Sequence, residues 1–233
     1  MRPTRLLPLA FCFAAATVHA EPTLRLSWES CDNLVTDRSW AGPGSYAMVL
    51  SGTGFTVPLG NYIGGLAFSP WFVAPAWDFA TSSYFGEGVC QDPAGLSATT
   101  TGGGCPSMPG TSLLVQMSKG SLTKPGGSTV GVQVRFDPAF VPDPAQRYTL
   151  ARIVFDHAHS VVGPGTPGSC GGVEQPTCVN LSSFALTGAA NQWLFHTIER
   201  GYVTWQDPTN GIGCPGATPA AAKTWGAVRA QYR

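Results

Sequence analysis

The chain has 233 residues, a formal net charge of zero and only 11% charged residues. This balance excludes the basic surface that nucleic-acid binding requires, and it argues against an anionic membrane surface as partner. Hydrophobic residues make up 43% of the chain, which favours a folded domain despite the 29 glycines and 20 prolines.

The first 20 residues have the layout of a secretory signal peptide. MRPTR is positively charged, a short apolar stretch follows, and Val18-His19-Ala20 supplies the small residues of a cleavage site before Glu21. No later segment is apolar over the roughly 20 residues that a membrane-spanning helix needs. We therefore expect an exported bacterial protein, extracellular or periplasmic, in which residues 21–233 form a single domain.

The mature sequence reads as short strands separated by Gly- and Pro-rich breakers such as TTTGGGCPSMPG and VGPGTPG. The predicted strands cover residues 24–28, 46–52, 112–117, 129–136, 148–156, 178–187, 192–198 and 202–205. Within 129–136, apolar residues alternate with Gly131, Gln133 and Arg135, as expected for a half-buried strand. This pattern predicts an all-β fold, an antiparallel β-sandwich or jelly roll, in which 178–187 and 192–198 pair. The tail, 224–233, is predicted to form a short helix, because its apolar residues recur at helical spacing.

An even number of cysteines in an exported chain predicts a fold stapled by disulfides. The chain has seven cysteines, of which Cys12 lies in the signal peptide, and the remaining six are Cys31, Cys90, Cys105, Cys170, Cys178 and Cys214. The sequence does not fix their connectivity. Proximity along the chain favours Cys90–Cys105 and Cys170–Cys178, which leaves Cys31–Cys214 to join the two ends of the domain. The absence of any CxxC spacing argues against a zinc site.

The stretch VFDHAHS, residues 154–160, is the best candidate for a metal site. If strand geometry continues through it, His157 and His159 share a face with Ile153 and Phe155. Alternate Cα atoms of a strand lie about 6.5 to 7 Å apart, so two imidazoles at that spacing can reach one metal ion.

A metal site needs a third ligand, for which His196, Asp156 and Asp137 are the candidates. We favour a different interpretation, in which the strand leaves the core at Asp156 and both histidines are exposed at its end.

Seven tryptophans raise the alternative of carbohydrate binding, because exposed aromatic faces commonly contact apolar ligand faces. Trp28, Trp193, Trp205 and Trp225 fall in strand or helix patterns and are assigned to the core. Trp40, Trp71 and Trp77 fall in loops and are the candidate ligand-binding residues. The other interpretation of these three is that they plug the ends of the core.

The sequence offers little for catalysis. It contains no GxSxG, HExxH, P-loop or dinucleotide-binding motif, and its acidic residues are few and scattered. No cofactor is predicted, and enzyme activity is left open but not favoured. We expect a secreted, non-catalytic binding or surface-structural module, with a glycan or a cell-surface protein as partner. A carbohydrate-binding module is the first alternative, and a metal-dependent hydrolase centred on His157 and His159 is the second.

Four short pieces resemble a group of secreted bacterial β-domain proteins of unassigned function. They are LSWESC near the mature start, the central PAWDF, the GSCGG and PTCVNL stretch, and the ending GCPGATP with TWGAVRAQYR. Unlike such proteins, this chain has no cysteine near Trp40. The resemblance implies a secreted, disulfide-bonded β domain and brings no activity or catalytic residues with it.

Overall fold

The computed structural model describes residues 21–69, 74–78, 96–108, 110–121, 124–136, 140–188, 190, 194, 196–207 and 214. Within these ranges the chain forms thirteen strands and one short 3-10 turn at Pro75–Trp77. The strands are β1 (Thr23–Trp28), β2 (Asp37–Arg38), β3 (Ser45–Thr53), β4 (Leu59–Ser69), β5 (Leu96–Thr99), β6 (Gly110–Ser121), β7 (Lys124–Phe136), β8 (Tyr148–Asp156), β9 (Ser160–Val161), β10 (Cys170–Gly171), β11 (Thr177–Gly188), β12 (Thr197–Arg200) and β13 (Tyr202–Trp205).

These strands build two sheets. The first sheet has the order β12-β1-β3-β8-β5, and the second has the order β2-β13-β11-β4-β7-β6. Neighbours are antiparallel except for the pairs β1–β12 and β2–β13, while β9 and β10 form a separate parallel ribbon. Buried side chains of both sheets, such as Met48 and Val203, belong to one hydrophobic cluster. The predicted all-β sandwich is confirmed.

Strand β7 shows how the sequence pattern produces the core. Val130, Val132, Val134 and Phe136 are buried, whereas Gln133 between them is exposed. Full burial of each such apolar side chain contributes about 1.5 to 3 kcal/mol. The alternation therefore fixes which face of the second sheet turns toward the first.

The first sheet is also covered on its outer face, the face opposite the shared core. Val49 of β3 is fully buried there and packs in a cluster with Cys31 and Cys105. The Cys31 amide donates to the Gly103 carbonyl at 2.7 Å, which holds the glycine-rich loop against the sheet. Gly103 has a φ of +86°, and a Cβ there would lie 2.8 Å from the Val49 side chain. Only glycine meets both requirements.

The disulfide pairing differs from the one that proximity favoured. Cys31 is bonded to Cys105, and Cys178 is bonded to Cys214. Cys170 is disulfide-bonded as well, but Cys178 is not its partner. The predicted bridges Cys90–Cys105, Cys170–Cys178 and Cys31–Cys214 are therefore wrong. The fold brings together cysteines that are 74 and 36 residues apart in sequence, so proximity along the chain does not predict the pairing.

The predicted pairing of 178–187 with 192–198 is seen only in part. The Leu194 amide donates to the Leu186 carbonyl at 2.9 Å, and residues 191–193 and 195 lie outside the described residues. Strand β11 pairs with β4 and β13 in the second sheet, whereas β12 begins at Thr197 and pairs with β1 in the first sheet. The chain then crosses from one sheet to the other at Gly201, between β12 and β13. The predicted C-terminal helix at 224–233 lies outside the described residues. In the part of the chain that is described, no helix is long and apolar enough to cross a membrane.

Candidate functional site

His157 directly follows β8 and turns into the core. Its amide donates to the Gly44 carbonyl at 2.9 Å, and its carbonyl accepts from the Ser160 amide at 3.1 Å. The second bond closes a tight turn, so strand geometry stops at Asp156. The imidazole has no solvent exposure, and its Nδ1 lies 2.9 Å from the Ser160 hydroxyl.

Aromatic rings surround this imidazole. The centroid of the His157 ring lies 4.6 Å from Trp77, 5.5 Å from Trp205, 5.8 Å from Tyr46 and 6.2 Å from Trp40. We call these four rings and His157 the aromatic cluster. Trp28 continues it toward the middle of the sandwich, since its ring centroid lies 5.9 Å from that of Trp205.

The indole N–H groups of Trp28 and Trp205 donate to backbone carbonyls of two other parts of the chain, β13 and the segment after β10. Trp28 Nε1 donates to the Thr204 carbonyl at 2.7 Å, and Trp205 Nε1 donates to the Val173 carbonyl at 2.6 Å. Buried indoles need such partners, because an unpaired buried donor costs about 1 to 3 kcal/mol. The assignment of Trp28 and Trp205 to the core is confirmed by their zero exposure.

Burial among these rings lowers the pKa of His157 to about 3, because desolvation disfavours the imidazolium. The side chain is therefore neutral at neutral pH. Its Nε2 is buried and has no hydrogen-bond partner. A neutral imidazole enclosed in this way packs like an aromatic ring and has no access to solvent for proton transfer.

The three histidines predicted as metal ligands do not converge. His157 is buried, His159 is exposed in the turn, and His196 is half-buried with its Nδ1 3.3 Å from the Leu194 carbonyl. No group of three metal-ligating side chains in the described ranges includes any of them. The competing interpretation, two exposed histidines at a strand end, is wrong for His157. Strand β8 ends before the turn at 157–160, so the strand alternation does not extend to His159, which is exposed while His157 is buried.

One group of three potential metal ligands does occur among the described residues: Cys31, Asp32 and Cys105. The two cysteines are bonded to each other, so neither sulfur is a thiolate. Thiolate is the form of cysteine that binds metal ions. This group is therefore a disulfide beside an exposed carboxylate, not a metal centre.

The loop tryptophans do not form a sugar-binding platform in the described region. Trp77 has no solvent exposure, so the prediction that it contacts a ligand is wrong. Trp40 is half-buried, and its ring stacks on Tyr46 at 5.7 Å with an interplanar angle of 29°. Trp71 lies outside the described residues. Pro75 and Ala76 form the 3-10 turn that directs Trp77 inward, where the sequence suggested a surface loop.

A group of charged residues that no sequence motif indicates lies on the outer face of the first sheet. Arg25 Nη1 lies 3.4 Å from one carboxylate oxygen of Glu199, and Arg147 Nη2 lies 2.8 Å from the other. Arg25 Nη2 also donates to the carbonyls of Cys31 and Asp32. The three charged residues are far apart in sequence and form no motif; the pairing of β1 with β12 brings Arg25 to Glu199, and Arg147 reaches Glu199 from the residue before β8.

No protein-family model and no curated protein matches the chain. Solved structures with a similar course include a non-cellulosomal cohesin from the archaeon Archaeoglobus fulgidus, with 8% identity and a TM-score of 0.37 over 80% of this chain and 90% of that one. The sixth cohesin of scaffoldin B from Acetivibrio cellulolyticus, solved with a Cel5 dockerin, has 8% identity and a TM-score of 0.41 over 79% and 98%. A type II cohesin domain from the cellulosome of the same organism has 9% identity and a TM-score of 0.37 over 80% and 96%. A likeness this distant assigns neither a family nor a partner to this chain.

Proposed function

We propose that this protein is an exported, non-catalytic binding or surface-structural module. The observation that carries the proposal is the position of His157. It belongs to the one stretch of sequence that suggested chemistry, and it is buried and neutral inside the aromatic cluster. General acid–base catalysis needs a group that reaches the substrate with a pKa near the working pH. His157 meets neither condition.

The covalent cross-links support the exported half of the proposal. Five cysteines in the described ranges are in disulfides, and such bonds persist in oxidising compartments. A partner outside the cell, either a protein or a glycan of the cell surface, agrees with this placement.

The two alternatives lose their main residues. A carbohydrate-binding module would have used Trp40 and Trp77, yet Trp77 is enclosed and the Trp40 ring is stacked on Tyr46. A metal-dependent hydrolase would have used His157 together with His159, which the turn separates. Neither alternative has an observation that favours it.

The proposal is tested on residues 21–233 produced in an oxidising compartment. Labelled protein is titrated onto bacterial envelope preparations, bound metal is measured by elemental analysis, and chromogenic esters and glycosides report any turnover. We expect saturable envelope binding, substoichiometric metal and no turnover.

The variant His159→Ala is the matched control, because His159 is exposed and its replacement leaves the core intact. Stoichiometric zinc or copper in the wild type that disappears in this variant would contradict the proposal. Turnover that the variant abolishes would contradict it equally. Competition of envelope binding by a defined polysaccharide would replace the proposal with the carbohydrate-binding alternative.

A further inference from the structure

Three buried side-chain atoms on the outer face of the first sheet have no hydrogen-bond partner. They are Arg25 Nε, Arg147 Nη1 and Ser51 Oγ. Most buried polar atoms in folded proteins have a partner, and each one left without costs about 1 to 3 kcal/mol. Three of them in one part of a sheet therefore call for a common explanation.

Strand register places the three residues together. Arg25 in β1 is directly opposite Ser51 in β3, and Ser51 is directly opposite Thr149 in β8. Directly opposite residues have Cβ atoms about 4.5 to 5.5 Å apart. Arg147 lies two residues before Thr149, on the same face, and shares the Glu199 carboxylate with Arg25. Arg25, Ser51 and Arg147 are therefore neighbours on one face of the first sheet, and both arginines contact Glu199 of the edge strand β12.

The charges of this group of residues are not balanced. Two guanidinium groups face one carboxylate, and each carboxylate oxygen contacts one arginine. The pKa of Arg147 is lowered, first by desolvation and then by the charge of Arg25, and Glu199 only partly offsets this. Asp32 does not supply the missing charge, since its Oδ1 lies 3.3 Å from Cys105 Sγ while only its backbone carbonyl contacts Arg25.

We propose that Arg25, Ser51 and Arg147 form a binding site for an oxyanion, that is, a carboxylate, phosphate or sulfate group. The two guanidinium groups and the Ser51 hydroxyl donate to its oxygens, and its negative charge neutralises the second arginine. The ligand enters past Glu199, whose side chain is 41% exposed on an edge strand, whereas the two arginines are 13% and 18% exposed. The anion site itself does not depend on the proposed function. Its role as the ligand site of a binding module rests on that proposal.

The test is isothermal titration calorimetry of residues 21–233 with inorganic phosphate and, separately, inorganic sulfate, at constant ionic strength. Wild-type protein is expected to bind one anion per chain. Arg147→Gln is expected to weaken binding by about tenfold or more, and Ser51→Ala by about fivefold, because each removes a donor to a charged group. Arg38→Gln is the matched control, since Arg38 lies in β2 of the second sheet and forms an ion pair with Glu29 instead.

Glu199→Gln keeps the test decisive if an arginine variant fails to fold. It removes the competing negative charge and should tighten anion binding by about tenfold. Equal affinity in wild type and Arg147→Gln would overturn the site, as would the absence of saturable heat in both wild type and Glu199→Gln. Titration with a phosphate or sulfate ester on a larger carrier then separates a free ion from an anionic group on a macromolecule. Tighter binding of the carrier supports an attached group. Loss of the anion site would leave the module proposal standing, because envelope binding and turnover are measured independently.

Discussion

The buried His157 makes the stability of the fold depend on pH. In the unfolded chain its pKa is close to 6.5, and in the folded protein it is about 3. Between these two values the unfolded state binds more protons than the folded state, so the free energy of unfolding falls as the pH falls. Above pH 6.5 the histidine contributes no further pH dependence.

The size of the effect follows from the two pKa values. The loss of unfolding free energy from this one group is about 2 kcal/mol between pH 7 and pH 5, and about 4 kcal/mol by pH 3. A loss of 2 kcal/mol is a large share of the roughly 5 to 15 kcal/mol that a typical domain has in total.

The assay is urea unfolding followed by tryptophan fluorescence at pH 7, 6 and 5. His157→Gln is the test variant, because glutamine is neutral at each pH and can still contact Ser160. It should be less stable than wild type at pH 7 and show a shallower decline toward pH 5. His159→Gln is the matched control at an exposed position and should decline as the wild type does. Parallel pH profiles for wild type and His157→Gln would refute the reasoning.

Three further predictions concern the packing. Replacing both Cys31 and Cys105 with serine should lower the free energy of unfolding by about 4 kcal/mol on the chain-entropy model. The measurement is urea unfolding, and an unchanged midpoint would contradict the pairing. Trp77→Ala should lower the free energy of unfolding by about 3 to 5 kcal/mol and leave any ligand affinity of the folded fraction unchanged. A variant that keeps its stability but loses ligand affinity would show instead that Trp77 contacts the ligand. Gly103→Ala should destabilise by about 1 to 3 kcal/mol, and Val49→Ala should partly rescue it in a double-mutant cycle, because the added Cβ meets the Val49 side chain; strict additivity would argue against that contact.

Sequence patterns predicted the elements of the sandwich because each strand carries its own signal. The alternation in 129–136 and the apolar run in 148–156 depend on neighbours along the chain, and both correspond to strands β7 and β8. Pairing between distant strands has no such local signal. The parallel partnership of β1 with β12 and the bridge from Cys31 to Cys105 both join residues far apart in sequence, within the first sheet and on its outer face.

The environment of His157 was predicted in part, because strand alternation is also a local signal. Strand parity correctly placed His157 on the face of Ile153 and Phe155, all of which are buried. Parity failed for His159, because the turn stabilised by the Ser160 amide ends the strand in between. The oxyanion site had no sequence signal at all, since Arg25 and Glu199 are 174 residues apart.

The parallel pairing of β1 with β12 also sets when the protein can finish folding. Thr23 is aligned with Thr197, so the first strand of the domain acquires its outer neighbour only after most of the chain is present. Contacts between residues so distant in sequence raise the contact order, and all-β domains rich in such contacts fold in about milliseconds to seconds. We expect truncation before residue 197 to leave an aggregation-prone chain with an open strand edge. The first sheet of this sandwich can therefore be completed only after most of the chain has been synthesised.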